Sequence, residues 1–223
     1  MFIRAVVVGI NHWEDLTHRF VVQLNDHNFF DVFVVDNASN PPYPVPSHSV
    51  LRRLSERVGY GTALNYGARA YSLKNGHYWD WLLCCNNDCL CTGNVTEIIS
   101  KLRTDTIYGN EWKYDYDGMQ DGLPAVVDSA YLLIPRKVWE CLGGFDPKMD
   151  AAFEEIDFQI RALDAGYRID VADLPITHLN LHTRWELEDY KERWEATRKY
   201  FRTKHPNRNT GVGMGAPEVN YGS

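Results

Sequence analysis

The stretch LLCCNNDCLC, residues 82–91, runs from apolar side chains into two amides and a carboxylate, Asn86-Asn87-Asp88, and back to small apolar residues. Its first half, preceded by WDW (79–81), has the pattern of a strand buried on both faces. Such a strand can end on polar residues because the chain turns there. It can also do so because, in an open α/β sheet, ligands sit outside the carboxyl ends of the parallel strands. Four of the five cysteines (Cys84, Cys85, Cys89 and Cys91) crowd this one stretch, where crossed disulfides would be strained. They read as free thiols of a reducing compartment, packed as small apolar side chains. A zinc site would want two separated C-x-x-C pairs, and the sequence has none.

Working outward, the first half alternates strand and helix. FIRAVVVGI (2–10) is an apolar β-branched run, and residues 14–28 carry Leu16, Phe20, Val21 and Leu24 at helical spacing. DVFVVDNAS (31–39) is a second strand ending in polar residues. The Pro-rich NPPYPVP (40–46) cannot be helix, SVLRRL (49–54) is a third short strand, and GYGTALNYGARAYSLKNG (59–76) opens on glycines and continues as helix. This grammar predicts an α/β fold with a mostly parallel central sheet flanked by helices. Residues 104–124 are polar, aromatic and turn-rich, and are expected to form a loop. Beyond them come a strand over AVVDSAYLLIP (125–135), a short helix over RKVWECLGG (136–144), and a helix over residues 154–167 with Ile156, Ile160 and Leu163 on one face. YRIDVAD (167–173) is a strand. Residues 185–204 form a C-terminal amphipathic helix with Trp194, Thr197 and Phe201 near one face, and 206–223 a flexible tail.

A formal charge of −7 disfavours a non-specific nucleic-acid binder, which normally carries a basic stripe. The apolar run at the N-terminus is broken by Asn11-His12 and is too short for a signal peptide or a membrane span, so a cytoplasmic protein is expected.

Polar residues gather where strands end. Asp36-Asn37 closes one strand and Asn86-Asn87-Asp88 another, and in a parallel sheet both point into the same crevice. Gly59-Tyr60-Gly61 opens a helix, either to let backbone amides approach a phosphate or simply as a helix start. Leu64 stands where a dinucleotide fingerprint needs its third glycine. Glu154, Glu155 and Asp157 open another helix, where carboxylates suit the dipole and where a general base can be raised toward neutral pKa by its neighbours. His178 or His182, if brought near Asp88, could complete a divalent-metal site.

Taken in order, FVVDNAS, GYGTALNYGA, LLCCNND, LGGFD, FEEIDFQIRALDAGYRI and ITHLNLH resemble the family 2 glycosyltransferases, and within them the rhamnosyltransferase-like branch. The resemblance covers residues 3–183 and implies an A-type glycosyltransferase fold over 1–205, with a donor nucleotide-binding half (1–92) and an acceptor-binding, catalytic half (93–205). It implies inverting transfer, of hexosyltransferase type, from a nucleoside diphosphate sugar (UDP-, dTDP- or GDP-linked) to an acceptor hydroxyl. By position, Asp36 contacts the nucleobase or ribose, and Asn37, Gly59, Tyr60, Gly61, Asn65, Asn86 and Asn87 complete the donor side. The resemblance implies Asp88 as the metal carboxylate for Mn²⁺ or Mg²⁺, His178 near the metal and diphosphate, and Glu155 as the base, with Glu154 and Asp157 as the alternatives. The sequence departs from the family pattern in keeping one acid in Asn86-Asn87-Asp88, a Glu where the base is usually Asp, and Arg57-Val58 where an Asn is usual. Tyr108, Trp112, Tyr114 and Tyr116 could stack on sugar faces or bases or only pack the loop down, and with His182 and Arg184 they are the candidate acceptor contacts. The basic stretch of Arg184, Arg193, Arg198, Lys199 and Arg202 is either an acceptor-phosphate surface or a solvated helix face. The acceptor would be a saccharide, a lipid-linked sugar or a modified nucleic acid. Two other readings stand beside this one. One is a nucleotide- or sugar-binding scaffold that has lost its chemistry. The other is a sugar-nucleotide nucleotidyltransferase, which would need a phosphate loop where GINHWEDL (9–16) stands.

Overall fold

The computed structural model describes residues 1–27, 31–71, 76–113, 126–181 and 187–206. Its strands are β1 (Ile3–Gly9), β2 (Asp31–Asp36), β3 (Val50–Arg53), β4 (Trp81–Asn86), β5 (Cys89–Cys91), β6 (Thr106–Gly109), β7 (Trp112–Lys113), β8 (Val126–Val127), β9 (Tyr131–Pro135), β10 (Arg168–Val171) and β11 (Ile176–His178). The helices are α1 (His18–His27), α2 (Tyr60–Arg69), α3 (Thr96–Ile99), α4 (Arg136–Leu142), α5 (Glu154–Asp164) and α6 (Tyr190–Lys204). A π-helical turn, Trp13–Thr17, leads into α1.

Seven strands form one sheet in the order β10-β6-β9-β4-β1-β2-β3. β1 to β4 are parallel, as the apolar runs predict, while β9 lies antiparallel between β4 and β6. Two short antiparallel pairs, β5–β11 and β7–β8, flank it. Alternation along β1 divides the core. Ile3, Ala5 and Val7 pack with Phe20, Val21 and Leu24 of α1, and Val6 and Val8 pack with Ala63, Leu64 and Ala68 of α2. Gly67 lets α2 lie on the sheet, since a Cβ there would stand 2.4 Å from Val6 Cγ1. The cysteines share the same two faces: Cys84 packs on the α2 side, and Cys85, Cys89 and Cys91 on the α1 side. A third cluster joins Met149, Phe153, Ile156 and Ile160 to Tyr190, Trp194 and Phe201 of α6.

Three expectations change. Residues 104–124 are not one loop, because β6 is buried in the main sheet and β7 follows it. Tyr108 accordingly sits in the core, its hydroxyl accepting the Arg103 amide at 3.0 Å, and it is not an acceptor contact. The single strand expected over 125–135 is two, β8 and β9, parted at Asp128-Ser129-Ala130. The tail beyond residue 206 lies outside the described residues. Among the described residues, no helix is long and apolar enough to cross a membrane.

Candidate active site

The sheet register brings the flagged polar residues to one edge. Val8 pairs with Asn86 and Gly9 with Asp36, so the carboxyl ends of β1, β2 and β4 abut. Gly9 is required there: a Cβ would stand 2.5 Å from the Tyr43 hydroxyl, 2.8 Å from Thr17 Oγ1 and 3.1 Å from Asn87 Nδ2. Asn87 donates to Thr17 Oγ1 at 3.0 Å, and Thr17 and Tyr43 share a hydroxyl contact at 3.1 Å. Tyr43 in turn donates a short bond to the Asn11 carbonyl, and burial pushes its phenol up to about 12. Asn87 therefore closes the floor of the crevice. Thr17 and Tyr43 escaped the sequence reading, because a lone Thr in a helix and a Tyr in a Pro-rich loop carry no pattern.

Asp88 lies just past this floor, at the turn from β4 into β5. Pairing of β5 with β11 sets Cys89 opposite His178 and so carries the imidazole to Asp88 across about ninety residues of chain. His178 Nε2 is 3.0 Å from Asp88 Oδ1, and Asn86 Nδ2 is 3.4 Å from the same nitrogen. The other Asp88 oxygen accepts the Leu181 amide at 3.1 Å. Burial pushes the Asp88 carboxyl up, but the His178 hydrogen bond and charge, with backbone amides, outweigh it and hold the group below its ordinary value. A carboxylate oxygen and an imidazole nitrogen pointing at each other are a fitting donor pair for Mn²⁺ or Mg²⁺ on a diphosphate, where phosphates and waters supply the remaining ligands. Among the described residues no cluster of three such ligands forms.

The remaining donor-side residues prove to be clamps. Asp36 is fully buried: Oδ1 accepts the Ser39 amide and Oδ2 the Tyr43 amide, each at 2.9 Å, and Arg53 Nε lies 3.5 Å away. Its carboxylate shapes the 37–43 loop and does not face a nucleobase. Asn37 pairs both ways with the Val58 backbone, at 2.8 and 3.0 Å. Asn65 does the same with Phe145, at 2.8 and 3.0 Å, so it ties α2 to the 143–145 turn and is not a donor contact. Gly59 and Gly61 are small because other chain segments press on them. A Cβ on Gly59 would stand 2.6–2.9 Å from the Asp150 backbone, and one on Gly61 3.0 Å from Glu154 Cβ. The hydroxyl of Tyr60 is buried, and burial among Cys84, Cys85, Cys89 and Glu154 pushes it well up.

The three acids of α5 separate by environment. Asp157 is fully buried: it accepts from Arg161 Nε at 2.8 Å, and its other oxygen lies 2.7 Å from Lys204 Nζ and 2.9 Å from His205 Nε2. It is an ion-paired anchor and cannot be the base. Glu154 is 7% exposed, packed over Gly61, whereas Glu155 keeps a half-exposed side chain.

Trp112 sits on β7, half-buried against the sheet's α2 side. Tyr114, Tyr116, His182 and Arg184 lie outside the described residues. Arg193 makes a double contact with Asp150, at 2.6 and 2.7 Å, so it is an ion-pair partner and not a free cation for an acceptor phosphate. Asp128, an acid the sequence reading passed over, is 8% exposed in the break between β8 and β9. That break reaches the crevice: the Ala130 carbonyl accepts the Asn86 amide at 3.2 Å. The one signal for it was a charged residue interrupting AVVDSAYLLIP.

No family model matches this sequence, and no curated protein matches it. Solved structures do. The mannosyltransferase PcManGT of Pyrobaculum calidifontis, in complex with GDP-Man and Mn²⁺, is similar over 76% of this chain and 54% of its own, with 17% identity and a TM-score of 0.57. GalNAc-T7 with UDP, GalNAc and Mn²⁺ is similar over 92% of this chain and 51% of its own, with 13% identity and a TM-score of 0.60. The catalytic domain of Drosophila β1,4-galactosyltransferase 7, in complex with xylobiose, aligns over 96% of this chain and 83% of its own, with 16% identity and a TM-score of 0.55. The chain spans 54% and 51% of the first two, about half of each. The strand order, the helices on both faces and these likenesses together identify the fold of this chain as the A-type glycosyltransferase fold.

Proposed function

We propose that this chain is a glycosyltransferase that moves a sugar, with inversion, from a nucleoside diphosphate donor to an acceptor hydroxyl. The observation that carries the proposal is the Asp88–His178 pair, set 3.0 Å apart at the carboxyl edge of the parallel sheet. In open α/β sheets ligands sit outside the carboxyl ends of the parallel strands, and the solved neighbours include complexes with GDP-Man or UDP together with Mn²⁺. Asp88 and His178 would hold the divalent ion, Mn²⁺ or Mg²⁺, which would neutralise charge on the leaving diphosphate. Asn86 steadies the imidazole, and Asn87 with Gly9 closes the floor beneath the phosphates.

Glu155 is proposed as the general base. Of the three acids in the first turn of α5 it keeps a half-exposed side chain, whereas Glu154 is packed over Gly61 and Asp157 is fully buried. Its carboxylate would take the proton of the acceptor hydroxyl as that oxygen attacks the anomeric carbon on the face opposite the leaving group. The rhamnosyltransferase-like branch remains part of the proposal on the strength of the motif order. So do the UDP, dTDP or GDP donor, the saccharide, lipid-linked or nucleic acceptor, and the cytoplasmic setting.

The test is thermal unfolding against UDP, dTDP and GDP, each with Mn²⁺ and with chelator. A ligand at about 100 times its Kd stabilises the folded state by about 2.7 kcal/mol. One nucleotide is expected to raise the midpoint with Mn²⁺ and to lose most of that shift with chelator. A flat response to all three would remove the donor site. A metal-dependent shift without turnover of any matching sugar nucleotide would leave the scaffold reading in its place.

A further inference from the structure

The segment from Asp146 to Asp157 delivers the candidate base, and α6 grips it at every turn. At its start, Asp146 Oδ2 accepts from Lys204 Nζ at 2.6 Å and from the Tyr200 hydroxyl at 3.0 Å. In the middle, Arg193 holds the Asp150 carboxylate, and Thr197 Oγ1 accepts the Asp150 and Ala151 amides at 3.3 Å each. Phe153, in the left-handed region at φ 67°, stacks on Phe201 at 5.0 Å and 25°. At the end, Asp157 meets Lys204 and His205. The opposite side of the segment rests on α2, where the Asp150 backbone covers Gly59 and Glu154 covers Gly61. Residues 146–157 are thus held between two helices, and Glu155 lies two residues before the point where both Lys204 and His205 attach.

That attachment has a physical necessity. A fully buried carboxylate is costly unless it is paired and hydrogen-bonded, and Arg161 of its own helix satisfies only one oxygen of Asp157. The second oxygen is satisfied from α6 and the residue that follows it. Without those partners Asp157 would have to turn toward water, and the first turn of α5 would turn with it.

We infer that α6 is a strap that fixes the catalytic carboxylate, with Lys204 and His205 as positioning residues acting through Asp157. This rests on the reading of Glu155 as the base. Neither residue touches substrate. Their role is the distance from Glu155 to the reacting hydroxyl, and a misplacement of about 1 Å can lower a rate by about 100-fold.

The experiment compares the full chain with Lys204→Met, His205→Ala and the conservative Lys204→Arg and His205→Gln. Three readouts are taken: amide hydrogen exchange over residues 150–157, the nucleotide-dependent thermal shift with Mn²⁺, and turnover of the sugar nucleotide whose base gives that shift. Lys204→Met and His205→Ala are expected to speed exchange over 150–157 and to lower kcat by 10-fold or more, toward the 100-fold limit. The donor KM and thermal shift should stay near those of the parent chain, and the conservative variants should restore most of kcat. Unchanged exchange over 150–157 would overturn the strap, and so would kcat and donor binding falling together with global unfolding. A parallel Glu155→Gln variant keeps the two ideas apart. If it retains turnover, the base assignment fails whatever α6 does. If it loses turnover while Lys204→Met and His205→Ala keep theirs, the strap alone fails.

Discussion

At the scale of single residues, the proposed site rests on two carboxylates in different surroundings. Asp88, the proposed metal ligand, is held below its ordinary value by His178 and backbone amides, which favours the ionised, acceptor-only form. Glu155, the proposed base, keeps a half-exposed side chain, whereas Glu154 is packed over Gly61 and Asp157 is buried with Lys204. Glu155→Gln, nearly isosteric, should therefore lower kcat by about 10²–10⁴-fold with donor KM little changed, measured as turnover under saturating donor. Intact turnover would strip Glu155 of the role. Asp88→Asn keeps the shape but removes the charge, and should abolish the Mn²⁺-dependent part of the nucleotide thermal shift. A shift that survives chelator in both chains alike would show that Asp88 does not hold the ion. The sequence made these residue types legible, since polar groups closing apolar strands announce a crevice. It could not say which way each side chain points. Asp36, Asn37, Asn65 and Asn87 sit where predicted, yet each turns inward to satisfy backbone or hydroxyl groups. For the three asparagines, direction is decided by partners 21 to 80 residues distant in sequence, which no local pattern encodes.

Among elements, the same logic separates what was readable from what was not. β1, β2 and β4 are runs of apolar residues buried on both faces, so their sequence alone marks them. β6 is four residues among Asp, Gly and Asn, too short to show a period, and it becomes a strand only because β9 and β10 hold its edges. Helix α2 shows how tightly elements constrain one another: Gly59 has no room because the Asp150 backbone occupies the place of its Cβ. Gly59→Ala should destabilise by about 3 kcal/mol, near the top of the range for overpacking, because a backbone cannot step aside as a side chain can. Chemical denaturation would read this as a lower midpoint at unchanged slope, and a change below 0.5 kcal/mol, the scale of an ordinary surface substitution, would contradict the fit. The α5–α6 contact should also respond to pH. Burial pushes the Asp146 carboxyl up, but Lys204, the Lys148 amide and Tyr200 outweigh it, so its folded value lies below the ordinary 3.8. A depressed acid contributes stability that is present above its unfolded value and lost as pH falls through its folded one. Comparing thermal midpoints of the parent chain and Asp146→Asn, the parent should lead above pH 3.8, and its lead should shrink as pH drops below that value. A constant gap through that range would detach Asp146 from the acid response.

Over the whole molecule, the two edges of the sheet do different work. The carboxyl edge holds Asp88, His178 and the approach to α5. The amino edge holds Arg4, which is fully buried and binds β1 to three other places at once. Its guanidinium donates to the Ala68 and Ala70 carbonyls at 2.8 Å each, to Gly76 at 3.1 Å and to Asp31 Oδ2 at 3.2 Å, and it lies 4.6 Å from the Phe33 ring centroid. The end of α2, the turn before β4 and the start of β2 are thereby fastened to one side chain. Arg4→Met would fill much of the volume but take the guanidinium away from the Asp31 carboxylate and from the three carbonyls. Breaking one partner of a buried ion pair costs about 3–5 kcal/mol, and for a chain of this size each kcal/mol moves the midpoint by about 2–4 °C. The expected fall is thus about 6–20 °C. Strands β1 and β4 still run the full depth of the sheet to Gly9 and Asn86, so below that midpoint the crevice should be intact. The nucleotide-dependent shift and kcat of the folded variant should match the parent chain, in contrast to Lys204→Met, where kcat is expected to fall. If Arg4→Met instead lowers kcat in proportion to its loss of stability, the edges are coupled, and the amino-edge anchor would belong to the catalytic geometry as well as to the fold.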